Sequence, residues 1–320
     1  MCPLIVVTEP IHEAGLERLR QAADLVYLPE RPGETLEQHL PAAEGVIVRI
    51  ARLTAERLAL APRLRVIGKH GVGVDNIDLA ACRARGITVV STPGANDESV
   101  AEFTIMMLLM LARQVEQAIA AVRSGRFAAA RGELRGWELQ GRTLGVVGLG
   151  RIGARVAEIA HRCFGMRVLA YDPYVTAERA AAVGAELCVD LQAMLPHCDF
   201  LTIHVPLTPA TRGLIGRDAL ARLKPGAYLV NCARGGIVDE VALVEALRSG
   251  HLAGAAIDVF ADEPPPPDHP LLHLPTVIPT PHIAGQTEDS LRRMALLVAD
   301  EVLRVLRGEP ARYPVAETEG

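Results

Sequence analysis

The sequence predicts an α/β protein of two doubly wound parallel-sheet domains. Three observations predict it. Short apolar strands alternate with amphipathic helical stretches in two successive blocks, the pattern of βαβ units. Half of the residues are hydrophobic but only 3% are aromatic, and Ala, Val, Leu and Gly dominate, as in helices packed on a sheet buried on both faces. The length, 320 residues, suits two domains at about 150 residues each.

In the first block the candidate strands are 4–7, 25–28, 45–48, 65–67 and 87–90, with helical patterns at 12–23 and 79–85. Ser91-Thr92-Pro93-Gly94-Ala95-Asn96 breaks the alternation. Ser99 and Glu102 then stand at capping-box spacing and open one long predicted helix over 99–123. Its stripe of Phe103, Met106, Met107, Met110 and Leu111 reads as a packing face, crossing between domains or buried in a subunit interface. The second block supplies strands at 144–147, 167–171, 200–204, 227–231, 254–258 and 277–279, and a last helix covers 288–307. No repeat of solenoid period is visible, and the proline run 264–267 is too short for a linker.

Several function classes are disfavoured at once. Thirty-three basic against 38 acidic residues leave a net charge of −5, which gives no reason to expect nucleic acid or an anionic membrane as partner. The longest apolar stretch, 103–112 with Thr104 inside it, is about half a membrane span. The N-terminus enters a strand-like run with no basic region and no long apolar stretch, so a signal peptide is not expected and the location reads as cytoplasmic. The six cysteines include no CxxC pair and are scattered, so reduced thiols are expected rather than disulfides or a metal site.

The strand 143–147 runs into Gly148-Leu149-Gly150-Arg151-Ile152-Gly153, and a helical pattern follows immediately. In this context each glycine has a task. Gly148 permits the tight turn, Gly150 lets backbone approach a pyrophosphate, and Gly153 lets helix and strand close up. The helix N-terminus offers free N–H groups and partial positive charge to the phosphates. The next strand ends at Asp172, about 20 residues past the last glycine, where a carboxylate hydrogen-bonds ribose hydroxyls and repels a 2′-phosphate. The pattern favours NAD over NADP.

Ligands of doubly wound sheets lie outside the carboxyl ends of the strands. There the sequence places Arg234 in Asn231-Cys232-Ala233-Arg234-Gly235-Gly236. It places Asp258 and Glu263 after the next strand, and His282 in Thr280-Pro281-His282-Ile283-Ala284-Gly285. A guanidinium can hold a carboxylate by two parallel bonds and polarise the adjacent carbonyl. An imidazole can exchange a proton with a carbinol oxygen while hydride moves, and a nearby carboxylate keeps it a competent acid. Singly, each also reads as a loop cation, a turn cap or a core histidine.

Together these motifs, with His204-Val205-Pro206-Leu207 and Thr211, Gly71-Val72-Gly73-Val74-Asp75-Asn76-Ile77-Asp78 and Pro93-Gly94-Ala95-Asn96, resemble the D-2-hydroxyacid dehydrogenase family over nearly the whole chain. The resemblance implies a Rossmann NAD-binding domain, 99–284, inserted in a flavodoxin-like substrate domain made of 1–98 and 285–320, closing over the substrate. It implies interconversion of a D-2-hydroxy acid and its 2-oxo acid. Arg234 would bind and polarise the oxo acid, His282 would be the acid/base and Glu263 its partner. Asp258 would hold the nicotinamide carboxamide. Val205, Pro206, Thr211, Cys232, Ala233 and Gly285 would line the cofactor cleft along with the 148–153 turn, including Arg151 and Ile152. The backbone at Gly71, Val72 and Gly73 would cradle the substrate carboxylate, and a homodimer through the long helix is implied.

Within the family the wording resembles the phosphoglycerate dehydrogenase and hydroxypyruvate reductase branch, so 3-phosphoglycerate, glycerate or hydroxypyruvate, glyoxylate and sulfolactate are the candidate substrates. Two departures stand out: Lys69-His70 replaces the Arg-Ala of phosphoglycerate enzymes, and Gln286 stands where many members have a small residue. In a chain ending at 320, the regulatory C-terminal domains of the longer phosphoglycerate enzymes are not expected. Arg49, Arg52, Lys69 and His70 are the candidate cations for a phosphate or sulfonate. Two other readings use the same fold: an NAD-sensing, corepressor-like binding protein, and an S-adenosylmethionine or flavin protein sharing the glycine turn.

Overall fold

The computed structural model describes residues 2–315, which form two compact units: 2–96 with 286–315, and Asp97–Gly285. The first unit carries five parallel strands, β1 (Leu4–Val7), β2 (Asp24–Tyr27), β3 (Gly45–Val48), β4 (Val66–Lys69) and β5 (Thr88–Val90), in the order β2-β1-β3-β4-β5. That is the flavodoxin-like order, with its reversal between β1 and β3. The second carries β6 (Thr143–Val147), β7 (Arg167–Tyr171), β8 (Ala185–Cys188), β9 (Phe200–Ile203), β10 (Ala227–Asn231), β11 (Leu252–Ile257) and β12 (Val277–Pro279). Their order, β12-β11-β10-β9-β6-β7-β8, is all parallel and reverses between β6 and β9, as in a Rossmann sheet.

Both sheets are covered on two faces. In the first unit the helix Glu288–Leu306 lies on Ile5, Val7 and Val66 through Ala295, Val298 and Val302. The fit is close enough to require glycine: a Cβ on Gly68 would stand 2.6 Å from both Val298 Cγ2 and Val302 Cγ2. In the second, Phe200 and Tyr228 stack across β9 and β10 at 5.1 Å.

Three sequence expectations are corrected. The helix expected over 99–123 is two, Asp97–Ala112 and Val115–Arg123, bent by 61°. The Ala112 carbonyl is taken by the Trp137 amide at 2.7 Å, and Gln114 turns left-handed at φ 52°. A returning chain thus claims the ladder where no proline marks a stop. Ser99 does not cap: it lies inside the first helix and its hydroxyl donates to the Ala284 carbonyl at 2.7 Å. Strand β8 is an addition to the expected strands, a short edge strand whose alternating Ala185-Glu186-Leu187-Cys188 lacks an apolar run.

Of the apolar stripe, Met107 and Leu111 are core, whereas Met106 is exposed, as are Val122 and Phe127 farther on. No single helix among the described residues is long and apolar enough to cross a membrane.

Candidate active site

The glycine turn sits at the reversal of the seven-stranded sheet, between the ends of β6 and β9. Gly148 has φ +91°, and a Cβ there would stand 2.7 Å from the His204 carbonyl and from Val205 Cγ1. A Cβ on Gly153 would meet the Gly148 carbonyl at 2.0 Å, so the helix Arg151–Phe164 can start only this close to the strand if residue 153 has no side chain. Gly150 differs: nothing lies within 4 Å of the place its Cβ would take. That open space faces the first turn of the helix that Gly150 caps, where Arg151 is exposed and Ile152 leans on the core. An anion can approach backbone here, and the residues fit a dinucleotide pyrophosphate.

Asp172 follows β7, and its carboxylate faces back on the turn. One oxygen accepts from the Leu149 amide at 2.8 Å and the other from the Tyr174 amide at 2.9 Å. The acid therefore fixes the glycine turn.

On the other side of the reversal, His204 is an uncharged post. Burial pushes its pKa down to about 3, and its Nε2 pairs with Thr202 Oγ1 at 2.9 Å. The loop beyond is tied by Thr211, whose hydroxyl donates to the Pro206 carbonyl at 2.6 Å. After β10, Asn231 organises the turn: its side chain accepts from the Ala233 amide and donates to the Arg234 carbonyl, both at 3.0 Å. The Arg234 guanidinium donates to the Ala233 carbonyl at 2.7 Å. Gly235 is obligatory, since its Cβ would lie 1.8 Å from the Phe260 carbonyl oxygen. Burial pushes the Cys232 thiol up, out of reach of thiolate chemistry at neutral pH.

The His282–Glu263 pair closes the site. Glu263 Oε2 lies 2.8 Å from His282 Nδ1, and Glu263 Oε1 accepts from the Phe260 amide at 3.0 Å. A carboxylate only accepts, so Nδ1 carries the proton and Nε2 faces away from Glu263. Partial burial acts to raise the Glu263 pKa, but the hydrogen bond and charge of His282 outweigh it and hold the carboxyl below its ordinary range. His282 has a left-handed backbone, φ +55°, unusual outside glycine. Asp258, which is 1% exposed, supports that backbone: its carboxylate accepts from Thr280 Oγ1 at 2.7 Å and from the Ile283 and Ala284 amides at 2.9 Å each. The His282 amide donates to the Asp258 carbonyl at 2.8 Å. Asp258 thus holds the run that ends at Gly285, a task that sequence reading did not assign to it.

In the first unit the candidate substrate residues are allotted differently. Lys69 Nζ donates to the Arg49 carbonyl and to Asn76 Oδ1, both at 2.6 Å, and Asn76 Nδ2 donates to the Ala51 carbonyl at 2.7 Å. Lys69 is a clasp between the loops after β3 and β4. His70, only 3% exposed, is no surface cation: burial and then the nearby Arg49 charge push its pKa down to about 4. Gly71, at φ +137°, is gripped by Thr92, whose hydroxyl accepts from its amide at 3.0 Å and donates to its carbonyl at 3.1 Å. Val72 is 41% exposed, and its amide and that of Gly73 meet no protein acceptor among the described residues.

Sequence reading also passed over Glu9. Its carboxylate accepts from the Arg49 amide at 2.8 Å, the Ile50 amide at 3.1 Å and the Ala51 amide, at the reversal between β1 and β3. No local signal marks Glu9, because its partners lie some forty residues on.

Residues 105–284 match the family model described as D-isomer specific 2-hydroxyacid dehydrogenase, NAD binding domain. The D-3-phosphoglycerate dehydrogenase of Methanocaldococcus jannaschii is 44% identical over 312 residues, 97% of this chain and 59% of that protein. The chain thus spans little more than half the length of that curated relative. Among solved structures, a protein of Thermus thermophilus matches with TM-score 0.87 at 40% identity, covering 98% of this chain and all of that one. The NADPH-dependent glyoxylate/hydroxypyruvate reductase of Sinorhizobium meliloti, solved with NADP and malonate, matches with TM-score 0.85 at 33% identity, covering 100% and 98%.

Proposed function

Because the chain belongs to the D-isomer specific 2-hydroxyacid dehydrogenase family, we propose that it is an NAD-dependent oxidoreductase interconverting a D-2-hydroxy acid and its 2-oxo acid. The His282–Glu263 pair carries this reading: a carboxylate held ionised against Nδ1 leaves Nε2 to give a proton to the carbonyl oxygen, or to take it from the carbinol. Nicotinamide, when bound, supplies or accepts the hydride. Arg234 grips the substrate carboxylate and polarises the neighbouring carbonyl, and the Gly71, Val72 and Gly73 backbone shares that carboxylate. The unit 97–285 is the NAD-binding domain and the other the substrate domain. Asp172 excludes a 2′-phosphate and so selects NAD, in contrast to the NADP-bound relative. Val205, Pro206, Thr211, Cys232, Ala233, Asp258 and Gly285 border the cofactor.

The substrate is a short acid of the glyoxylate, hydroxypyruvate, phosphohydroxypyruvate or sulfopyruvate type. With Lys69 clasped and His70 neutral, a phosphate or sulfonate tail falls to Arg49 and Arg52. The exposed Met106, Val122 and Phe127 support a homodimer, and we assign the enzyme to the cytoplasm. The test is NADH oxidation with that panel plus pyruvate. Turnover of one member that disappears in His282→Ala is expected. NADH binding with silence across the panel would move the assignment to an NAD-sensing binding protein.

A further inference from the structure

A fully buried carboxylate far along the chain bears on the 71–73 loop. Glu301 lies on the helix Glu288–Leu306 with 0% exposure, where an uncompensated charge is costly. Its oxygens accept from the Arg312 amide at 2.7 Å, Arg312 Nε at 2.7 Å and the Tyr313 amide at 3.0 Å. The carboxylate therefore fixes the turn through which the chain swings onto the edge of the five-stranded sheet. There the Tyr313 carbonyl accepts from the Ser91 amide at 3.2 Å, Pro314 pairs antiparallel with Val90, and the Val315 amide donates to the Val89 carbonyl at 2.8 Å. The residue next to this seam is Thr92, 0% exposed, which grips both the amide and the carbonyl of Gly71. Glu301 and Thr92, the two ends of this chain of contacts, are both shut off from water, so neither can exchange its partners for solvent.

We infer that Glu301 is a positioning residue for substrate binding: by anchoring 312–315 along β5 it holds Thr92, and through Thr92 the 71–73 loop, in the conformation that receives the substrate carboxylate. The last step rests on the proposed role of that loop. The coupling itself does not, and the two are tested separately.

The experiment compares Glu301→Gln, Arg312→Ala, Thr92→Val, Thr92→Ser and the double variant Glu301→Gln/Thr92→Val in the full chain. Gln has one acceptor too few and presents an amide donor to the Arg312 and Tyr313 donors. Arg312→Ala removes only the side-chain bond and serves if Glu301→Gln fails to fold. Amide hydrogen exchange reads the coupling. Glu301→Gln is expected to speed exchange at Gly71 about tenfold, with Arg312→Ala smaller in the same sense, because a lost buried bond opens the site locally. Strand β3 and the 148–153 turn keep wild-type protection, which a general loss of stability would not allow. Steady-state kinetics with glyoxylate and hydroxypyruvate read the consequence: KM rises about tenfold while kcat and the NADH Kd hold. Thr92→Val reproduces both effects, Thr92→Ser restores them, and the double variant is no worse than the worse single.

Unchanged Gly71 exchange in Glu301→Gln and Arg312→Ala, or additive effects in the double variant, would overturn the inference. If Thr92→Val speeds Gly71 exchange but leaves KM untouched, the assignment of the loop to the substrate falls instead.

Discussion

The two sheets reverse their strand order at equivalent places, and the two crevices are used in opposite ways. Between β6 and β9 the crevice is left open, with Gly150 facing empty space and the nearest carboxylate, Asp172, set to one side. Between β1 and β3 the chain fills the crevice itself: the Glu9 carboxylate accepts three successive amides at Arg49, Ile50 and Ala51. One reversal is available to a dinucleotide, and the other already holds an anion of its own. Topology supplies the crevice, and the side chains at the strand ends decide whether it takes a ligand or becomes scaffold.

The sharpest test of the comparison is chemical. His282→Ala should lower kcat by about 10² to 10⁴ with little change in NADH Kd, the size expected for loss of a general acid. Turnover close to wild type would remove the chemical half of the contrast. Glu9→Gln probes the filled crevice. It should cost about 1 kcal/mol of unfolding free energy by urea titration, since two half-buried amides and an exposed one lose a carboxylate acceptor, and should leave the NADH Kd alone. A weakened NADH Kd with unchanged stability would mean that the two crevices do not divide their roles in this way.

Asp172→Ala sharpens the open crevice. It should narrow the preference for NADH over NADPH about tenfold. Because Asp172 also holds the Leu149 amide, the variant should bind NADH more weakly than wild type, so the gain is relative and not absolute. Strong wild-type preference for NADPH would refute the argument.

Glu263→Gln should lower kcat of oxo-acid reduction about fivefold and leave the NADH Kd alone, because a neutral amide oxygen accepts from Nδ1–H less strongly than a carboxylate and orients the ring less firmly. For stability the sign follows from the depressed Glu263 pKa. Its contribution is complete above the ordinary carboxylate range and is lost as pH falls through the lower folded value.

His70 bears on stability through its response to acid. The unfolded chain takes up a proton near pH 6.5 that the folded chain refuses until about pH 4. Stability should therefore fall on acidification through that window, by up to about 1.4 kcal/mol per pH unit, and His70→Gln should flatten the slope. An unchanged slope would mean that His70 is not held neutral.

What could be read along the chain was what depends on near neighbours. Strands β1, β3, β7, β10 and β12 stand where the alternating apolar runs place them, because a strand buried on both faces needs an unbroken run. The 148–153 turn was legible for a similar reason. Gly153 closes on the Gly148 carbonyl within one βα connection, so spacing states that contact, whereas the approach of Gly148 to His204 and Val205 comes from a strand end more than fifty residues on. Arg234, Glu263 and His282 could be picked out by their places after strand ends, although each alone also reads as an ordinary polar residue.

Tertiary structure decided the rest. The break near Ala112 comes from Trp137, the left-handed turn at His282 is held by Asp258 from another strand end, and Lys69 is a clasp because Asn76 and the Arg49 carbonyl converge on it. A hydrophobic period records which face a segment buries and is written into every few residues. A hydrogen bond between residues tens of positions apart leaves no such period, and becomes definite only when the sheets bring its donor and acceptor within about 3 Å.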